Sequence, residues 1–236
     1  MTYSDSTPWL HQTYHGDGAL HTTQLGGGAK WTYGYNARGL LESEALDDDG
    51  QPTALVMHLY DANGAESMLS YPDGSSVGYQ PNALGQPTQA ALPGGVAYAS
   101  NVKYWPNGAV ERFTYGNEVV HTLSQNERQL PKQSRDALGT TAVVDLEYAY
   151  DANANVASVT DAAQSGVGNE NRGMSYDGLD RLKTVSAPNL WGDAAFDYDA
   201  LDNLTHSKVG TREVTHTINA TTNRLDTISG SGRRLA

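Results

Sequence analysis

The sequence predicts an all-β chain, an array of β-hairpin repeats that forms a long curved antiparallel sheet. Three observations support this: a short phrase recurs ten times at intervals of 20 to 26 residues, turn residues are frequent, with 25 Gly and 9 Pro, and polar and apolar residues alternate with period two after the phrase. Self-similarity at a fixed period is typical of proteins whose units bury their apolar faces against their neighbours. We therefore treat residues 1–236 as one repeat array.

The repeated phrase is Tyr, then Asp or Asn, two variable residues, Gly, one polar residue, and Leu or Val. The first position is Tyr in seven units, the second is Asp or Asn in seven, and the seventh is Leu or Val in seven. We place the ten starts at Tyr14, Tyr35, Tyr60, Pro81, Tyr104, Ser124, Tyr150, Tyr176, Tyr198 and Ile218.

Each phrase is typical of a tight turn that leads into a strand. In the copy that begins at Tyr60, the Asp61 side chain can hydrogen-bond its own backbone two residues on, and Gly64 tolerates a left-handed conformation. We expect the recurrent residues to have a structural role in these turns. They are Tyr14, Gly18, Tyr35, Gly39, Tyr60, Asp61, Gly64, Tyr104, Gly108, Tyr150, Asp151, Tyr176, Asp177, Tyr198 and Asp199.

The segments between the phrases are predicted to be strands. After the phrase at Tyr176, residues 182–186 alternate in the manner of a pleated strand. Residues 40–46 contain good helix formers, but they fall where every other unit has a strand, so we predict a strand there. A second set of turns, at residues 47–50, 72–74, 115–117 and 136–139, makes each unit a hairpin or strand pair.

Composition excludes several classes of function. The net charge of −12 gives no electrostatic basis for binding a nucleic-acid backbone. The chain has no Cys, which excludes disulfides, thiolate metal sites and thiol nucleophiles. Residues 1–9 lack the features of a signal peptide, and no apolar run approaches the ~18 residues of a membrane span. These features leave the cellular location undetermined.

No catalytic, cofactor-binding or metal-ligating residue is predicted. The chain has no motif of a zinc protease, a serine hydrolase or a phosphate loop, and the glycines at 26–28 are interpreted as a strand connection. Asp151, Asn153 and Asn155 match the first half of a calcium loop, but Val156 replaces its glycine and the bidentate Glu is missing. We interpret them as ordinary turn residues. The histidines lack paired metal spacing and are assigned solvent-facing or cross-strand positions; the ones considered are His11, His15, His21, His121, His206 and His216.

These repeats resemble the bacterial RHS family, also called YD-repeat proteins, which includes shell parts of toxin complexes and of polymorphic toxins. Ten copies in register carry the resemblance, which spans nearly the whole chain. The best matches are Tyr60–Gly64, Tyr150–Asn153, Tyr176–Leu182, Tyr198–Leu204, Thr222–Leu225, and Tyr104–Gly108 followed by Tyr115–Asn117.

The resemblance implies a sheet that spirals into a hollow shell around a C-terminal toxin segment. Complete members continue into an Asp-Pro-rich core, reported to act as an aspartyl autoprotease, and then into a variable toxin domain. Here the array stops within a repeat, at residues 230–236, so we expect this chain to be a segment of a larger protein or a truncated member of the family. We expect the parent protein to be secreted or displayed on the cell surface. Its expected partners are a toxin polypeptide and other parts of the parent protein, and its open ends are expected to self-associate edge to edge.

Two functions remain open at this stage. The first is a non-enzymatic shell segment that encloses or scaffolds a toxin polypeptide. The alternative is a cell-surface carbohydrate- or protein-binding module, because sugar rings can stack on exposed aromatic residues. The direction of the aromatic rings distinguishes the two: rings shared between neighbouring strands favour the shell, and a row of open rings favours glycan binding. The four tryptophans concerned are Trp9, Trp31, Trp105 and Trp191.

Overall fold

The computed structural model describes residues 7–48, 50–164 and 168–231. In these residues it contains twenty β-strands and no α-helix. Within the two units defined below, consecutive strands pair antiparallel, as successive hairpins do. The predicted fold class, an all-β array of antiparallel hairpins, is confirmed.

Contacts divide the chain into two compact units. The first contains residues up to Tyr104 together with Phe113–Glu118, and the second contains Trp105–Arg112 together with residues from Val119 onward. Strand β10, Val110–Tyr115, has residues in both. The prediction of one array over residues 1–236 concerns continuity between these units and stays a prediction.

The first unit holds nine complete strands, separated by short turns. They are β1 (Leu10–Tyr14), β2 (Leu20–Leu25), β3 (Lys30–Tyr35), β4 (Leu41–Asp47), β5 (Ala54–Tyr60), β6 (Glu66–Ser70), β7 (Ser76–Gly78), β8 (Ala90–Ala91) and β9 (Ala97–Tyr104). Strand β4 covers the segment rich in helix formers, which is a strand as predicted.

The second unit holds ten complete strands. They are β11 (Val120–Gln125), β12 (Pro131–Leu138), β13 (Thr141–Tyr150), β14 (Val156–Asp161), β15 (Arg172–Tyr176), β16 (Leu182–Ala187), β17 (Gly192–Tyr198), β18 (Leu204–Val209), β19 (Arg212–Ile218) and β20 (Leu225–Ser231).

The strand register shifts at the first position of the repeated phrase. In the hairpin of β5 and β6, Leu59 pairs with Met68 but Tyr60 pairs with Glu66. The same irregularity falls at Tyr14, Tyr35, Gln125, Tyr150, Tyr176, Tyr198 and Ile218. Because a bulge redirects the side chain at which it occurs, it gives the first residue of each phrase a different direction from the rest of its strand.

The core of each unit is thin. Among the described residues, no large side chain is fully buried, and the buried apolar residues are small: Ala91, Ala137, Val159, Val185, Ala187 and Ala194. A sheet with so little apolar burial depends more on its backbone ladder and on contacts between successive turns than a conventional sandwich does.

Two predicted turn positions are wrong. The sixth phrase begins at Gln125 rather than at Ser124, because the turn is closed by Asn126 N donating to Leu130 O at 2.9 Å. Residues 136–138 lie in β12, where Ala137 is buried, and the turn follows at Gly139 and Thr140 between paired Leu138 and Thr141. In the predicted turn at 47–50, Asp49 lies outside the described residues.

Candidate functional site

The recurrent turn is the feature that the chain repeats, and we number its seven residues as positions 1 to 7. In the copy from Tyr60 to Glu66, Asp61 N donates to Ala65 O at 2.8 Å and Gly64 N donates to Asp61 O at 3.1 Å. Asp61 Oδ1 accepts from the backbone amides of Asn63, at 2.8 Å, and Ala65, at 2.9 Å. One carboxylate oxygen at position 2 therefore satisfies two amides that face out of the turn.

The same double cap occurs in six further copies, so the preference for Asp or Asn at position 2 has a local cause. In each, the position 2 oxygen accepts from the amides at positions 4 and 6; the residues are Asn36, Asn82, Asn126, Asp151, Asp177 and Asp199. Asn219 caps a turn that is one residue longer, through Thr221 N and Thr222 N.

Hydrogen bonds hold down the pKa values of three of these carboxylates, those of Asp151, Asp177 and Asp199. The side chain of Arg181 donates to Asp177 Oδ2 at 2.7 Å and, with the turn amides, lowers the pKa of Asp177 to about 2. The side-chain amides of Asn155 and Asn203 lower the pKa of Asp151 and of Asp199 in the same way. Because the ionised form is the better acceptor, it stabilises the turn.

The calcium-like triplet has the same turn geometry. Asp151 Oδ1 accepts from Asn153 N and Asn155 N, and Asp151 Oδ2 accepts from Asn155 Nδ2 at 3.1 Å. Both Asn side chains donate to Asp180 Oδ1 in the following turn, at 2.8 and 2.7 Å. Both carboxylate oxygens of Asp151, and Oδ1 of Asp180, thus accept hydrogen bonds within or between turns.

Position 5 has a left-handed backbone. Gly64 has a φ of +88°, and a Cβ built there would lie 2.8 Å from Arg38 Nη2. The later copies place residues other than glycine at this position, each with positive φ: Gln129, Ala154, Asp180 and Asp202. Glycine therefore removes a steric cost at position 5, and Asp tolerates the conformation better than most residues.

In six copies, the tyrosine at position 1 links its turn to the preceding one. Tyr60 OH donates to Leu41 O at 2.6 Å, and Leu41 is at position 7 of the preceding copy. Five other tyrosines donate to the same position, in bonds that we call tyrosine rungs: Tyr35 to Leu20, Tyr104 to Pro87, Tyr150 to Pro131, Tyr176 to Val156 and Tyr198 to Leu182. Partial burial raises the pKa of Tyr60, Tyr104 and Tyr150, which keeps these hydroxyls protonated as donors.

Arginine side chains link the turns in the opposite direction. Arg38 Nη1 donates to Asp61 O at 3.0 Å, Arg128 Nη1 to Asp151 O at 3.1 Å, and Arg181 Nη1 to Asp199 O at 3.0 Å. Each acceptor is the position 2 carbonyl of the next copy. The turns of a unit are therefore joined to both neighbours by side chains as well as by strand pairing.

Three histidines lie close to a carboxylate on a neighbouring strand. His121 Nδ1 lies 2.7 Å from Asp136 Oδ1, and His206 Nε2 lies 2.9 Å from Glu213 Oε1. His58, which sequence reasoning passed over, lies 2.6 Å from Glu66 Oε1 on the adjacent strand. Only the strand register brings it to a carboxylate, so no local motif signals the pair. Across residues 7–48, 50–164 and 168–231, no three His, Asp or Glu side chains are arranged to hold a metal ion.

The aromatic rings do not share one environment. The six rung tyrosines are half-buried between successive turns, and so are Trp31 and Trp105. Trp9 and Trp191 are 43% and 47% exposed. The shared tyrosines match the arrangement expected of a shell, whereas Trp105 lines a cavity that we consider below.

In the part of the chain that the structure describes, no helix has the length and apolar character that crossing a bilayer requires. Comparison by sequence finds neither a matching protein-family model nor a matching curated protein.

Comparison by structure finds the same fold within much longer chains. The chain superposes on the crystal structure of TcdB2-TccC3 with a TM-score of 0.76 and 16% identity, over 92% of this chain and 14% of the other. It also superposes on the Photorhabdus luminescens Tc holotoxin pore, with a TM-score of 0.64 and 15% identity, over 92% of this chain and 16% of that one. A TcdB2-TccC3 structure without its hypervariable C-terminal region gives a TM-score of 0.65 and 15% identity, over 92% of this chain and 16% of the other. The chain thus spans about one-sixth of these structures or less, and it has the fold of a part of them.

Proposed function

We propose that the chain is a non-enzymatic segment of an RHS-type shell that encloses or scaffolds a toxin polypeptide. The observation that carries this is the set of six tyrosine rungs, each of which joins one repeat to the repeat before it. Side chains that bond consecutive repeats stabilise the stacking of one repeat on the next, which a long array requires. The fold likeness to the Tc toxin structures supports the same proposal.

One face of β5 provides a surface suited to an enclosed polypeptide. Leu55, Met57 and Leu59 alternate along the strand and are 42%, 40% and 41% exposed. Leu59 pairs with Met68, which extends the apolar surface to β6. Exposed apolar surface of this kind is suited to holding unfolded chain without a specific sequence.

The non-enzymatic part of the proposal is supported by how the repeated polar residues are used. The carboxylates at position 2 cap backbone amides, and the rung hydroxyls bond to carbonyls, so both groups have structural partners. The same chemistry recurs in successive turns, as expected for a structural role.

Sequencing the gene upstream and downstream of the region that encodes these 236 residues tests the proposal. We expect further copies of the phrase and a non-repeat segment that the repeats enclose. Limited proteolysis of the whole product should cut the non-repeat segment only after the shell is unfolded in denaturant. A frame without further repeats, or a non-repeat segment that is cut as fast as the free polypeptide, would contradict it.

A further inference from the structure

The repeat pattern breaks at two consecutive turns of the second unit. Position 2 of the fifth copy is Trp105, where eight other copies have the capping Asp or Asn described above. Position 1 of the sixth copy is Gln125, so this copy has no tyrosine to form a rung. Trp105 Nε1 instead donates to Leu123 O at 2.9 Å. The indole thus links the fifth turn to β11, the strand that leads into the sixth turn.

A cavity of about 300 Å³ lies at this break. Gln125 lies here in place of the tyrosine ring that, at the six rung junctions, reaches from one turn to the one before it. The cavity is lined by Trp105, Pro106, Asn107, Gln125, Asn126 and Gln129.

The lining combines an aromatic wall with neutral amides. Trp105 is half-buried and its N–H is bonded, which fixes the orientation of the ring. The side chains of Asn107 and Gln125 pair, with Asn107 Nδ2 donating to Gln125 Oε1 at 3.2 Å. The side chain of Gln129 is exposed and makes no hydrogen bond to any residue that the structure describes. The backbone of Gln129 is left-handed, with a φ of +62°. The side-chain amide of Gln129 offers both donors and an acceptor, whereas Asn107 Oδ1 also accepts from Ala109 N and Asn126 Oδ1 caps its turn.

These features match the chemistry of a neutral sugar. The C–H face of a pyranose packs on an aromatic ring, and its hydroxyl groups both donate and accept hydrogen bonds, as side-chain amides do. The volume lies at the lower end of small-molecule sites, which suits a single ring. No lining residue is charged, and the net charge of −12 disfavours anionic sugars.

We propose that the cavity at Trp105 and Gln129 binds one neutral hexose unit of a carbohydrate. This site is independent of the proposed shell function, because it lies within the second unit and uses the residues that depart from the repeat.

The test is a titration of the whole chain with glucose, galactose, mannose and N-acetylglucosamine, followed by the indole N–H resonance of Trp105 and by saturation-transfer difference. At least one sugar should shift the Trp105 resonance saturably at millimolar concentration. Gln129→Gly relieves the left-handed backbone and removes one amide, so it should keep the fold and weaken binding about fivefold, the effect of one lost hydrogen bond. Gln125→Tyr should fill the cavity and abolish binding.

Ala154→Gly is the matched control, because Ala154 occupies the same turn position of the next copy and has a φ of +74°. It should leave sugar binding unchanged. The proposal is overturned if none of the four sugars shifts the Trp105 resonance, or if Gln129→Gly and Ala154→Gly affect binding equally. Because these outcomes concern only the cavity, they leave the test of the shell function unaffected.

Discussion

At the residue scale, the left-handed backbone of Gly64, at position 5 of its turn, restricts which side chains can replace it. Gly64→Val should destabilise the fold by about 1–2 kcal/mol, because a β-branched residue is forced into the left-handed region. The new Cβ would also press on the Arg38 guanidinium, 2.8 Å away. Denaturant unfolding of the two proteins measures the loss.

Gly178→Val is the control for that change. Gly178 lies at position 3 of another copy, and a Cβ there would meet no atom within 4 Å. A loss of stability equal to that of Gly64→Val would show that any valine in a turn is harmful, and the argument from backbone conformation would be wrong.

Asp177 should make the fold sensitive to acid. Its pKa is lowered from 3.8 to about 2 in the folded chain, chiefly by Arg181. Since the folded pKa is depressed, the stabilisation is present above the ordinary pKa and is lost as the pH falls from about 4 towards 2. Asp177→Asn should therefore flatten the decline of the unfolding free energy over that range.

Urea unfolding at a series of acidic pH values measures this slope. Asp226→Asn, at an exposed position of β20, serves as the control and should keep the slope of the unchanged chain. Equal slopes for Asp177→Asn and the unchanged chain would show that the Asp177 carboxylate does not couple proton binding to folding.

At the scale of elements, the tyrosine rungs should contribute measurably to the pairing of successive hairpins. Tyr176→Phe keeps the ring but removes the hydroxyl that donates to Val156 O at 3.0 Å. The expected cost is about 0.5–1.5 kcal/mol, the usual net worth of one hydrogen bond. Amide exchange should also quicken in β14 and β15, since the rung joins Tyr176, at the end of β15, to Val156, at the start of β14.

Tyr14→Phe is the matched control, because within residues 7–48, 50–164 and 168–231 the Tyr14 hydroxyl donates only to Gln12 on the same strand, at 3.3 Å. Its ring is 59% exposed. We expect little change in stability. If both substitutions cost the same, the rungs add nothing beyond the general effect of a tyrosine hydroxyl.

The sequence predicted the turn chemistry because that chemistry is local. Asp61 bonds its own backbone two residues on, and the conformation of Gly64 follows from the same short segment. The acceptors of the rungs depend on how one hairpin aligns with the next, so the partner of Tyr60, Leu41 O, could not be derived from either phrase alone.

The two wrongly predicted turn positions also depend on how the strands pair in the folded chain. The sixth copy was placed at Ser124, one residue early, because without tyrosine the phrase offers only Asn126 as a marker. The turn assigned to residues 136–139 lies two residues later, since the pairing of β12 with β13 decides where the hairpin closes. The cavity at Trp105 was missed because it results from two departures that meet only in the folded chain.

At the scale of the whole molecule, the outermost strands should be the weakest part. Among the described residues, β1 pairs only with β2 and β20 pairs only with β19. An unpaired strand edge exposes amides to exchange and can pair with another chain. We expect exchange to be fastest in β1 and β20, and slow in inner strands such as β12 and β13, which share six paired positions.

The same edges should make the isolated chain associate at high concentration, and β20 allows a direct test. Ile228 is 62% exposed on this strand, and a charge at an edge opposes pairing with a second copy. Ile228→Lys should shift sedimentation towards the monomer and leave the circular dichroism spectrum unchanged. Uniform amide protection in all strands, together with a monomer at every concentration, would instead indicate a closed, self-capped domain such as a barrel or propeller. The proposal of a shell segment would then have to be abandoned, because an array that extends into further repeats requires edges that can accept another strand.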